Sequence, residues 1–302
     1  MKRRLRRLRR GLGSALLTGL ARRAGRRGPE ALRRRGERLG LAHYWLTWPF
    51  RGRLRRDIST VLGVSRSEAA AILRDAHRVN DRGVFEVLAA GDPHFAADAL
   101  VEEVEVRDLH RLEQRPDQTG AVLLGMHMGN GIFLAAKLAR LGLPVRLVYR
   151  DPRRLGGDTL GACLRNLGIE PLELDRENPT RSFREMLGVL KSGGLLQVLM
   201  DQGSKREGVD RRFLGKTLRM PTGIARLAGR AGAPIYPVHC EADRPNWTFR
   251  VHAPLEAEDD DERLDVMVAS MTDAIRARPG LWAWHHRRWK RYDLDRDTTP
   301  GS

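Results

Sequence analysis

From residue 120 onward, short apolar runs alternate with amphipathic stretches, and few architectures accept that rhythm. The runs at 121–126, 145–149, 169–174, 194–200, 234–240 and 247–253 have strand length and are rich in Val, Leu and Ile. Between them, 131–142, 155–167, 180–191, 220–231 and 260–278 read as helices. This alternation predicts an α/β fold: a mixed, mostly parallel central sheet flanked by helices. Such sheets bind ligands beyond the carboxyl ends of their strands. Three polar clusters fall at such ends: His127 after AVLLGM, Tyr149-Arg150, and Asp201-Gln202 after GLLQVLM. They are expected to converge on one rim. Upstream, Ser65-Arg-Ser-Glu68 is a capping box that starts a helix running to about Asn80.

The charge is placed unevenly. Of a net +17, residues 1–60 carry 19 Lys+Arg against 3 Asp+Glu, while the other 242 residues are almost balanced, 36 against 35. A basic arm on a nearly neutral body seeks polyanions. Leu5, Leu8, Leu12, Leu16 and Leu20 form one helical stripe flanked by arginines, the composition of an interfacial helix. Gly11, Gly13 and Gly19 weaken that helix in water. HYWLTWPF at 43–50 adds aromatics suited to the headgroup level. The plain alternative is a solvated basic tail. No run reaches the roughly 18 apolar residues of a spanning helix. Nucleic-acid binding lacks an interleaved aromatic or zinc pattern and is not expected. The organisation expected is a basic amphipathic arm at 1–60, one domain at 61–292 and a flexible tail at 293–302.

Several motifs offer chemistry. His127 stands before a Gly-Asn-Gly turn and suits a general base near neutral pH, although one histidine after a strand also fits a structural role. Asp201 either orients His127 or serves a turn. The Gly-Lys-Thr at 215–217 tempts a nucleotide reading, but a phosphate loop needs glycine where Asp210 stands. Pro221-Thr-Gly223 opens a helix whose amides fit an anion or nothing. The segment Trp282–Lys290 joins aromatics to arginines, for phosphate binding or for packing. Cys163 and Cys240 have no metal or redox spacing and are expected to be buried thiols.

Taken in order, these motifs resemble the lauroyl/myristoyl acyltransferases of lipid A biosynthesis, within the lysophospholipid acyltransferase superfamily. The resemblance runs from about 57 to 292. It rests on GMHMGN at 125–130, Tyr149-Arg150, Asp201-Gln202, Phe213-Leu-Gly215, Pro221-Thr-Gly223, Ala233-Pro234 and WAWHHRRWK at 282–290. It implies a glycerol-3-phosphate acyltransferase-like fold and a monomer peripheral to the cytoplasmic face of a bacterial inner membrane. It implies transfer of a fatty acyl chain from acyl carrier protein or coenzyme A to a hydroxyl or amine of a lipid acceptor, with no metal or other cofactor. His127 and Asp201 would be the catalytic pair. Asn130, Arg150, Gln202, Phe213, Gly215, Arg287 and Arg288 would contact substrate.

One departure stands out. The family pattern is His-x4-Asp/Glu, and the acid's place is taken here by Ile132. Another carboxylate, foremost Asp201, serves His127; or His127 works unassisted on an amine; or the chain binds lipid or carrier without turnover.

Overall fold

The fold is described from a computed structural model. It describes residues 2–92, 94–95, 97–115, 119–149, 159–175, 177–204, 208–286 and 288–289, with side chains from residue 13 except at 14. The chain opens with four helices, α1 (Lys2–Gly25), α2 (Pro29–Leu46), α3 (Trp48–Leu62) and α4 (Arg66–Ala90). It continues through α5 (Asp98–Glu102), β1 (Glu105–Arg107), α6 (His110–Glu113), β2 (Ala121–Gly125), α7 (Gly131–Arg140), β3 (Val145–Tyr149), α8 (Thr159–Asn166) and β4 (Glu170–Glu173). Then follow α9 (Pro179–Lys191), β5 (Leu195–Leu199), β6 (Val209–Phe213), β7 (Lys216–Met220), α10 (Gly223–Ala231), β8 (Ile235–Ala242), β9 (Thr248–Val251) and α11 (Asp260–Ala277). Two 3₁₀ turns, Pro279–Leu281 and Trp284–His286, follow.

Seven strands form one sheet in the order β1-β9-β8-β2-β5-β3-β4. Every pairing is parallel except β8 with β9, so the expected architecture holds. The central strands are apolar on both faces because helices cover both: Ala121 to Leu124 of β2 are each 0% exposed. Chain order and sheet order diverge at β2. From β2 the chain passes to β3 and β4, then returns with β5 between β2 and β3, while β8 flanks β2 on the other side. Such a switch opens a crevice at the carboxyl ends of β2 and β5.

The expected strands and helices lie within a few residues of these bounds, with three differences. The capped helix runs to Ala90, ten residues past Asn80, because its second half is buried: Phe85, Val87, Leu88, Ala89 and Ala90 join the core. The Ser65–Glu68 capping box is formed. The segment around Gly-Lys-Thr is a hairpin, β6 against β7, turned by Leu214 at φ 52° and Gly215 at φ 79°. Positive φ at both turn residues matches the right-handed twist of the flanking strands. β1, three residues long, joins the edge of the sheet.

The first helices pack onto α4. Leu32, Gly36, Gly40 and Tyr44 of α2 are buried, as are Leu54, Ile58 and Val61 of α3. Leu16 and Leu20 of α1 are exposed; the side chains of Leu5, Leu8 and Leu12 lie outside the described ones. At the α2–α3 elbow, Trp45, Leu46, Trp48 and Phe50 are 65%, 78%, 69% and 59% exposed, an exposed apolar group. Among the described residues no helix is long and apolar enough to cross a membrane.

Candidate active site

The site is built by strand register. β2 and β5 are parallel neighbours, with Gly125 opposite Leu199. Two residues beyond those ends come His127 and Asp201, so the pairing itself delivers them to the same level. Asp201 Oδ1 accepts from His127 Nδ1 at 2.7 Å and from the His127 backbone N–H at 3.1 Å. Oδ2 accepts from Trp282 Nε1 at 2.8 Å and from Arg288 Nη2. The carboxylate is 0% exposed. Burial alone would favour its protonated form, but the His127 and Arg288 charges and the His127 hydrogen bond prevail and hold it well below the usual carboxylate range.

An ionised, buried acceptor fixes the tautomer of its partner. Nδ1 of neutral His127 carries the proton, which leaves the Nε2 lone pair toward the opening. The His127 side chain is 28% exposed. The Gln202 amide Nε2 lies 3.3 Å from His127 Nε2 and 3.0 Å from His286 Nδ1, donating to both. The His286 ring packs on that of His127 at 4.6 Å between centroids. Burial first, then the neighbouring His127 and Arg288, lowers the pKa of His286 and keeps its ring neutral.

The C-terminal segment holds this arrangement. Ala283 N–H donates to the His127 carbonyl at 2.9 Å, Gly129 N–H donates to Leu281 O at 3.2 Å, and Met128 bridges Trp282. Arg288 spans the gap: its Nε donates to Asp201 O at 2.8 Å, Nη1 donates to Ala283 O, and its guanidinium lies 3.8 Å from the Trp282 ring centroid. The turn needs Gly129, at φ +66°, where an added Cβ would sit 2.8 Å from Cys240 Cβ. Buried Gln197 of β5 donates to Gly131 O at 2.8 Å, at the start of α7.

The structure therefore brings together His127, Asp201 and Gln202 of the residues read from sequence. Others face inward. Asn130 is buried and its amide donates to Glu86 Oε2 at 3.2 Å and toward Gly83 O at 3.4 Å, so it ties the turn to α4 instead of facing a substrate. Phe213 is 0% exposed and packs on Trp282 and Trp289. Gly215 sits in the hairpin turn, whose Leu214 N–H donates to Thr272 Oγ1 of α11 at 3.4 Å. Arg288, 2% exposed, partners Asp201 inside the protein. Arg150 and Arg287 lie outside the described residues. Tyr149 donates to Glu173 at 3.3 Å. Ile132, in the first turn of α7, packs partly buried against the core.

Sequence reading overlooked Trp282 as a donor to the acid. The available signal was chemical: a buried tryptophan needs a partner for its N–H. Gln197 gave no signal beyond a polar residue inside an apolar strand. Both cysteines are buried, and burial pushes the Cys240 thiol up, out of the reactive range. No group of three or more metal-ligating side chains occurs among the described residues.

A mostly parallel α/β sheet that presents an acid-supported histidine at its switch point defines a class of site suited to general-base chemistry. The family model described as "Bacterial lipid A biosynthesis acyltransferase" matches residues 2–291, and the chain belongs to that family. It is similar to the phosphatidylinositol mannoside acyltransferase of Mycolicibacterium smegmatis, 30% identical over 185 residues, or 59% of this chain and 57% of that protein. It is likewise 30% identical over 133 residues to the Mycobacterium tuberculosis protein of the same name, covering 41% of this chain and 40% of the relative. The chain thus spans about half the length of these curated relatives.

Proposed function

We propose that this protein transfers a fatty acyl chain from an acyl carrier protein or coenzyme A thioester to a hydroxyl or amine of a membrane lipid, with His127 as general base. The observation that carries the proposal is the 2.7 Å bond from His127 Nδ1 to buried Asp201, which leaves the Nε2 lone pair as the base once the Gln202 amide is displaced. The acceptor's O–H or N–H gives its proton to Nε2 as the oxygen or nitrogen attacks the thioester carbonyl. Asp201 stabilises the imidazolium that forms, in the manner of a triad acid. The C–S bond then breaks, and the thiolate leaves as a thiol with the proton from Nε2. Asp201 stands in for the acid that the family pattern places at Ile132. The acceptor hydroxyl must displace the Gln202 amide from Nε2, so Gln202 lines the mouth of the site.

The relatives' names and the arm support this acceptor class. A phosphatidylinositol mannoside is an anionic glycolipid, and this chain concentrates a net +16 in its first 60 residues. The protein works as a monomer at the cytoplasmic face of the inner membrane, and needs no metal or other cofactor. The test is transfer from radiolabelled acyl carrier protein and coenzyme A thioesters to extracted membrane lipids. His127→Ala is expected to abolish labelling; unchanged labelling would sink the mechanism. Wild-type protein that binds vesicles and carriers yet transfers nothing would instead be a binding homologue without turnover.

A further inference from the structure

The Asp201 site uses neither the α2–α3 elbow nor the concave surface beside it. Gly52, Arg55 and Arg56 of α3 face Arg66, Ser67 and Ala70 of α4 across an open cup. Its lining holds three arginines and no acid. Arg56 and Arg66 are exposed and Arg55 is half-buried. The nearby Glu68 carboxylate is turned back onto its own helix end, accepting from Ser65 N–H at 2.8 Å.

The surroundings say what such a cup meets. Gly52 lies two residues past Phe50 and four past Trp48 on α3, so the cup follows directly on the exposed elbow. Arg51 packs over Tyr44 and Trp45, 4.6 and 4.9 Å from their ring centroids, which leaves the elbow amphipathic. Exposed rings bordered by arginines match the interface of an anionic bilayer. Guanidinium forks match phosphate oxygens in pairs. A chain of rings links the elbow to the proposed active site. Ring contacts run from His127 to His286 (4.6 Å), to His285 (4.6 Å), to His77 (6.1 Å), to Tyr44 (5.7 Å) and on to Trp45 (5.7 Å).

From this juxtaposition we infer that Arg55, Arg56 and Arg66 form a binding site for the phosphate of an anionic membrane lipid, seated while the elbow rings enter the headgroup layer. The site is separate from the chemistry at His127. It sets the protein's tilt on the bilayer and turns the mouth of the proposed active site toward the lipids.

Vesicle binding by the full chain, with no acyl donor present, tests this. The vesicles are phosphatidylcholine with either phosphatidic acid or oleate, at matched surface charge. The wild type is expected to prefer phosphatidic acid. A basic residue at an anionic surface contributes about a fivefold factor. Combined Arg55→Gln, Arg56→Gln and Arg66→Gln is therefore expected to lower phosphatidic acid binding at least about tenfold. Arg23→Gln, Arg27→Gln and Arg38→Gln together remove the same charge from exposed positions and are expected to cost much less. Replacing the cup arginines by lysine should keep oleate binding and erase the phosphatidic acid preference. Equal losses in the two glutamine triples, or a lysine triple indistinguishable from wild type, would overturn the site. Displacement by millimolar inorganic phosphate at constant ionic strength would reassign it to a soluble ligand and overturn the lipid assignment. His127→Ala should bind vesicles as the wild type does, so failure of the proposed chemistry and failure of the cup are read separately.

Discussion

Asp201 has four donors and no exposure, and the consequences of changing it follow from that. Asp201→Asn keeps the shape but removes the charge that fixes the Nδ1–H tautomer of His127. A triad acid changed in the same way costs about 10⁴ in turnover, and a loss of roughly 10³ to 10⁴ in acyl transfer is expected here. The variant also leaves Arg288 buried without its counter-charge, which costs about 3–5 kcal/mol of stability. Transfer rates and urea midpoints on the same preparation separate the two effects; full activity would remove Asp201 from the scheme. Gln202→Ala tests the other side of the ring. It frees Nε2 without disturbing the Asp201 bond, so transfer should fall less than about tenfold, with the change mainly in acceptor KM. A loss as large as that of Asp201→Asn would mean that Gln202 matters to the state of His127 as much as Asp201 does. Trp282→Phe removes one charge-assisted hydrogen bond, worth about 1.5–3 kcal/mol, and should lie between these two in its effect on turnover.

Strands and helices show why part of this was legible beforehand. β2 and β5 are apolar runs that end in polar residues, so their identity and the meeting of His127 with Asp201 follow from pattern and parallel pairing. The hairpin was hidden because VDRRF is charge-rich and lacks the alternation of a half-buried strand, while the alternation in KTLRM is short and flanked by charge. Its burial comes through Phe213, Leu218 and Met220, which only tertiary contact reveals. The inward turn of Asn130 and Arg288 was hidden for the same reason. Each polar side chain suits a substrate equally well until α4 or the C-terminal segment is seen to supply its partner. Helix packing was likewise silent in the sequence. Gly36 and Gly40 of α2 have low helix propensity, yet they let α2 approach α4. An added Cβ at Gly40 would sit 2.7 Å from Arg78 Cα, and at Gly36 2.9 Å from Arg82 Cα. Backbone cannot yield as a flexible side chain does, so Gly40→Ala should cost about 1–3 kcal/mol despite the better helix propensity of alanine. Chemical denaturation measures it. A stabilised variant would mean that the two helices are not in close contact.

Across the whole molecule, buried histidines make stability depend on pH. Burial pushes His239 down to about 3, helped by the adjacent His252, and pushes His285 down to about 3. Both are neutral in the folded state, whereas an unfolded histidine titrates near 6.5. Between those values the unfolded chain binds more protons than the folded one. Stability is therefore fully present above pH 6.5 and lost as pH falls toward 3. Each such histidine contributes at most about 1.4 kcal/mol per pH unit to the slope. Asp201 adds a second, lower limb. Its folded pKa lies well below the ordinary 3.8, so its contribution is present above 3.8 and lost as pH falls beneath it. The two limbs have different owners, and two variants assign them. His239→Leu should flatten the slope between pH 6.5 and 3 by up to about 1.4 kcal/mol per unit and leave the lower limb alone. Asp201→Asn should do the reverse, beginning from a lower overall stability. Urea midpoints measured across both windows decide the matter. A slope unchanged in His239→Leu would mean that His239 is protonated in the folded protein. Its ring would then need a partner beyond Ser270 Oγ, 3.5 Å from Nε2, because among the described residues no acid acts on a charge buried there beside His252.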